Sequence, residues 1–226
     1  MSYTKTIVCL ANSFKSNGSC IAGKELVEGA HGGWIRPVSN RTSAELSTSE
    51  CAYEGGGSPK LLDIADIPLL RAEPRNHQLE NHVINADRRW RRRGKFSWND
   101  LDLLCDQPET VWINSDSTKT GRYNCMCPEE AATLDGSLLL IKQRKFTVTV
   151  ERKFPYGKLA CRGKFNYNGV RYNFSLTDPI ACVAFENRGE GEYNVENVYL
   201  CLSLTEPFKD GRCHKLVAAV IANRRF

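Results

Sequence analysis

LACRGKFNYNGVRYNFSLTD, residues 159–178, is the stretch whose reading decides the fold. Asn168-Gly169 sits between two runs that alternate apolar and polar, the strongest short-range signal for a two-residue β-hairpin turn. With that turn fixed, the register pairs Tyr167 with Val170, Phe165 with Tyr172 and Gly163 with Phe174. Successive side chains on a strand point to opposite faces. One face is therefore aromatic, and the other carries Arg162, Lys164, Asn166, Arg171, Asn173 and Ser175. On the alternation rule the aromatic face is core. The polar face is then either an electrostatic grip for a polyanion or a solvated basic surface.

Working outward, the rest of the chain reads mostly as short strands and turns. TKTIVCLA (4–11), WIRPVS (34–39), LLDIADIPLL (61–70) and NHVI (81–84) are extended pieces of the first half. NSFKSNGS (12–19) reads as a polar loop with a turn at Asn17-Gly18. In the second half SLLLI (137–141) and FTVTV (146–150) read as strands joined by a basic turn, KQRK; YNVENVYLCLSL (193–204) and HKLVAAVI (214–221) supply the last strands. Ser97 followed by Asp100 marks a helix start, with Trp98, Leu101 and Leu104 at helical spacing. The fold class expected is mainly β: two small barrels packed together with a few short helices. The boundary falls near 121–135, giving a first barrel with an inserted loop and helix at 1–125 and a second at 126–226.

The chain has 226 residues and 41% hydrophobic residues, enough for sizeable cores. MSYTKTIVCLANS at the N-terminus is a poor secretory leader. The longest apolar run, LVAAVIA at 216–222, falls well short of the roughly 20 residues that span a bilayer. A cytoplasmic protein is expected. Ten cysteines occur without a CxxC pair, several inside apolar runs such as IVCLA. They read as reduced, core-filling thiols rather than a disulfide framework or a zinc site. No metal or cofactor is expected.

The net charge of +5 is unevenly spread: residues 142–171 hold nine basic side chains and one acid, Glu151. DRRWRRRGKFSW, residues 87–98, adds a second basic run with Arg88, Arg89, Arg91, Arg92, Arg93 and Lys95. It reads as a loop ahead of the helix at 97, its arginines outward because unpaired buried charge is too costly. Arginine forks suit phosphate oxygens. Lys15, in the polar loop at 12–19, and Arg36 complete the candidate phosphate-binding residues.

IVCLANS, CIAGKEL, GGWIRPVS, LLDIADIPLL, FSWNDL, SLLLI and KLVAAVI, in that order along nearly the whole chain, resemble the bacterial proteins described as containing a dual OB domain. The resemblance implies two oligonucleotide-binding-type barrels, a setting in bacterial conflict (defence) or mobile-element systems, and nucleic-acid binding. It implies no catalytic residues.

The function expected is therefore a non-catalytic nucleic-acid-binding protein, its ligand single-stranded or structured DNA or RNA. A partner helicase or nuclease is a further expectation. The alternatives are a protein-interaction adaptor whose basic loop recruits an acidic partner, or a nucleotide-sensing module. A metal-dependent nuclease is a weaker alternative. It needs Asp135 and Glu151 to meet at the open end of an antiparallel SLLLI/FTVTV pair.

Overall fold

The computed structural model describes residues 2–15, 18–28, 30–153 and 157–223, with Phe14 and Lys15 described by their backbone alone. The chain divides into two units, residues 1–104 and 105–226.

In the first unit the strands are β1 (Tyr3–Lys15), β2 (Gly18–Val27), β3 (Ala30–Val38), β4 (Asp63–Ala72), β5 (Asn81–Ile84) and β6 (Arg91–Lys95), followed by a 3-10 helix at Trp98–Leu104. Pairing runs β1–β2–β3–β5–β4 and returns to β1, with β3 and β5 parallel and the other pairs antiparallel. Ile7, Ile21, Ile35, Ile67, Leu69, Ile84 and Trp90 fill its core.

The second unit holds β7 (Cys125–Met126), α1 (Pro128–Ala131), β8 (Leu138–Arg152), β9 (Leu159–Tyr167), β10 (Val170–Leu176), α2 (Pro179–Glu186), β11 (Gly191–Leu204) and β12 (Cys213–Ala222). Here the ring runs β8–β9–β10–β12–β11 and back to β8, and β10–β12 is the parallel pair. The two units thus share one cyclic order, first–second–third–fifth–fourth, with third and fifth parallel. This repeat lies in non-local pairing. The order is that of the five-stranded Greek-key OB barrel.

The hairpin at 159–176 has the expected register: Val170 faces Tyr167, Tyr172 faces Phe165 and Phe174 faces Gly163. Asn168 and Gly169 take φ of 47° and 81°, as a two-residue type I′ turn requires. Phe165, Tyr172 and Phe174 are buried, with ring centroids 5.3–5.5 Å apart. Gly163 makes room for the Phe146 ring of β8: a Cβ there would lie 2.5 Å from Phe146 Cε2.

Four expectations are corrected. KQRK is no turn, because β8 runs unbroken from Leu138 to Arg152. The tetrapeptide has none of the Gly, Pro, Asn or Asp that turns need, and β11 pairs along its length. The arginine run is a loop only as far as Arg89. Residues 91–95 form β6, antiparallel to β4, with Asp66 opposite Arg91 and Asp63 opposite Lys95. The expected loop at 12–19 begins as strand, since β1 continues to Lys15; Ser16 and Asn17, with the expected turn, lie outside the described residues. Finally, the division falls between Leu104 and Cys105, where a boundary near 121–135 is expected from sequence.

Residues 105–124 belong with the second unit. Val111 is fully buried in its core. The buried Lys215 ammonium donates to the carbonyls of Val111 and Ile113 at 3.0 and 2.7 Å. Asp106 caps Leu140 N at 2.7 Å. Among the described residues no helix is long and apolar enough to cross a membrane.

Candidate nucleic-acid interface

The outer face of β8, β9 and β10 forms a groove of about 570 Å³ lined by Arg122, Lys145, Thr147, Lys164, Asn166, Arg171 and Asn173 with parts of Phe165 and Tyr172. Strand alternation builds it. Phe146, Phe165 and Tyr172 point inward and are buried, so their neighbours Lys145, Thr147, Lys164, Asn166, Arg171 and Asn173 point outward. Register aligns them: Thr147, Lys164 and Asn173 face one another across the three strands, and Asn166 faces Arg171. Arg122 joins from outside the barrel. Its segment bridges β10, with N–H to carbonyl bonds of 3.2 Å in both directions between Arg122 and Asn173.

The cations are not equivalent. Arg122, Lys145 and Arg171 are exposed and make no ion pair among the described residues. Lys164 is paired with Glu192, and the ammonium holds that carboxyl below its usual range. Arg162 stands beside the groove rather than in it. It donates to Asn173 Oδ1 and the Asn173 carbonyl at 3.0 and 2.8 Å, and to Ser175 Oγ at 3.2 Å. Partial burial lowers its pKa. Arg162 is a brace, and it consumes the acceptor side of the Asn173 amide, whose Nδ2 donates to the Thr120 carbonyl at 3.1 Å. Asn166 stays exposed at the groove.

The remaining sequence candidates lie in the first unit, and half of them are engaged. Arg92 pairs with Asp63 at 3.0 Å and Arg93 with Asp66 at 2.6 Å; both carboxylates are buried. Arg89 donates to the Ser49 carbonyl at 2.6 Å. Arg36 is buried in an ion pair with Glu80 at 3.1 Å. Arg88, Arg91 and Lys95 are exposed. The Lys15 side chain lies outside the described residues.

Sequence reasoning found Lys164, Asn166, Arg171 and Asn173 of the groove and missed Arg122, Lys145 and Thr147. Lys145 and Thr147 carried a signal, alternation about Phe146, that the mistaken turn at 142–145 obscured. Arg122 carried none, since only the tertiary bridge to Asn173 brings it in.

With two five-stranded rings in OB order, the chain matches the family described as Dual OB-containing domain over residues 5–220. The chain belongs to this family. OB-fold domains generally bind nucleic acids. No curated protein and no solved structure matches the chain. In this dual-OB chain the second barrel presents the cationic groove, and its hairpin aromatics are core rather than an open stacking platform. The geometry behind the nuclease alternative is overturned: Asp135 and Glu151 flank opposite ends of the single strand β8. Among the described residues no cluster of three or more His, Cys, Asp or Glu is placed to hold a metal ion.

Proposed function

We propose that the second barrel binds nucleic acid without chemistry of its own, through the groove over β8–β10. The observation that carries this reading is the convergence of Arg122, Lys145, Lys164 and Arg171 on one groove, where Glu192 is the one carboxylate paired with any of them among the described residues. Cations held on a rigid sheet displace the counterions of a phosphate chain, and a charged groove of this kind follows the backbone of a single strand in OB domains. A cytoplasmic setting in bacterial conflict or mobile-element systems, with a helicase or nuclease as partner, is the wider context we infer from the family.

The test is a fluorescence-anisotropy titration of a labelled single-stranded oligonucleotide at several salt concentrations. The intact protein is compared with a Lys145→Gln/Arg171→Gln variant. Affinity should fall with salt, and the variant should flatten the log–log slope by about 0.7 for each phosphate that is no longer neutralised. An affinity indifferent both to salt and to the substitutions would refute the groove and favour an adaptor or nucleotide-sensing role.

A further inference from the structure

A second cavity lies beside the groove. It measures about 420 Å³, and its lining includes Asn124, Ser175, Thr205, Phe208, Lys209 and His214. That volume is at the small end of the roughly 300–1,000 Å³ typical of ligand sites. The two cavities adjoin through two stretches of chain. Ser175 follows the groove residue Asn173 by two positions on β10, about 7 Å along the strand and on the same face. Asn124 follows Arg122 by two positions.

Phe208 is 63% exposed, on the connection between β11 and β12. Single exposed apolar side chains are ordinary, but this one lines a cavity, and the turn that carries it is held in place. Phe208 N donates to the Arg212 carbonyl and Gly211 N to the Phe208 carbonyl, both at 2.9 Å. Gly211 supplies the positive φ of 75° that closes the turn. His214 Nε2 contacts the Asp210 carboxylate at 3.0 Å, and its ring meets the Phe208 ring edge-on with centroids 6.0 Å apart. The arrangement is an aromatic wall with part of its polar lining already engaged: Thr205 Oγ1 accepts His214 N–H, and the Asn124 amide is bonded to Thr118, while Lys209 at the same cavity is exposed and makes no ion pair among the described residues. Phe208 suits a flat, aromatic group, and Lys209 beside it suits the phosphate that group carries.

We propose that this cavity takes one unstacked nucleobase of a strand whose phosphates lie in the adjoining groove, with Phe208 as the stacking face. The inference rests on the nucleic-acid reading of the groove and adds to it a reason for preferring single strands, because a paired base is not free to enter.

The probe is a single-stranded oligonucleotide set against an abasic strand with the same number of phosphates, titrated onto the full chain. The intact protein should bind the base-bearing strand about tenfold more tightly, within the range of one base–aromatic stack. Phe208→Ala should erase that preference while leaving the salt slope unchanged. Phe208→Trp should keep it, with the introduced indole quenched on binding. If Phe208→Ala retains both preference and affinity, the base cavity is wrong and the groove stands. If the intact protein binds neither strand, the groove falls, and the cavity with it.

Discussion

Arg162 and Asn173 are locked together across β9 and β10: one guanidinium donates to both the side-chain and the main-chain carbonyl of the asparagine, at 3.0 and 2.8 Å. Arg171, two residues before Asn173 on the same strand, is exposed and unpaired among the described residues. Two arginines of one basic face therefore have different duties. Arg162→Ala should cost about 1–2 kcal/mol of stability, as expected for losing hydrogen bonds to a charged group that is partly solvated. Denaturant titration reads this directly. Arg171→Ala should leave the unfolding midpoint unchanged and weaken oligonucleotide binding with a shallower salt dependence. Equal effects of the two substitutions on both measurements would show that the distinction is wrong.

Glu192 restrains the groove through Lys164. Glu192→Gln removes the competing anion and releases the ammonium toward a phosphate. Affinity for a single strand should rise a few-fold, and the salt slope should steepen, by up to about 0.7. A loss of affinity would mean that Glu192 positions Lys164 instead of masking it.

The arginine strand of the first unit makes the opposite case. Arg92 and Arg93 neutralise the buried Asp63 and Asp66. Removing them takes the counter-charge from two buried carboxylates that keep only neutral donors, from Tyr53, Lys60 and Thr6, so Arg92→Gln/Arg93→Gln should lower thermal stability measurably. Its effect on oligonucleotide affinity should be smaller than that of Lys145→Gln/Arg171→Gln. The reverse ranking, from anisotropy and thermal melts on the same preparations, would return the binding site to β6.

The hairpin at 159–176 was legible down to its register because a two-residue Asn-Gly turn and unbroken alternation leave one pairing open. The start of the helical turn at Ser97 was legible from its cap: Ser97 Oγ accepts Asn99 N–H at 3.2 Å. Helix α2 was missed, although Asp178-Pro179 is a start signal of the same kind; Asp178 Oδ1 caps Ile180 N and Ala181 N at 3.0 and 3.1 Å. The cyclic strand order was not legible, because nothing local to β10 states that it lies parallel to β12. Charge proved the least reliable guide. Five arginines in six residues suggest a phosphate grip, yet two of them answer buried carboxylates some 27–29 positions away.

Gly163 tests the core beneath the groove. A methyl group there would meet Phe146 Cε2 and Cζ at 2.5 and 2.6 Å and Val217 Cγ2 at 3.2 Å. The phenyl ring is pinned between facing strands, so it has little room to yield. Gly163→Ala should destabilise by about 1–3 kcal/mol, the usual cost of overpacking, as read by urea denaturation. A neutral or stabilising substitution would mean that the Phe146 ring is free to shift.

Lys215 gives the second barrel a dependence on pH. Its ammonium is buried, and loss of solvation pulls its pKa down from 10.5 to about 7. Two carbonyl acceptors, from Val111 and Ile113, remain satisfied by the neutral amine, which has two N–H donors. Between about pH 7 and 10.5 the unfolded chain holds a proton on this lysine that the folded chain does not. Stability must therefore rise with pH across that window. Below pH 7 both states are protonated and the contribution is flat. Lys215→Met removes this rise, so the difference in unfolding free energy between intact protein and variant should shift toward the intact protein as pH is raised through that window. The shift should be of the order of a few kcal/mol, at about 1.36 kcal/mol per pKa unit. Cysteines and tyrosines titrate in the same window, but they are common to both proteins, so the comparison isolates position 215. A difference constant with pH would show that the amine keeps its proton in the folded state and that the carbonyls of Val111 and Ile113 hold an ammonium.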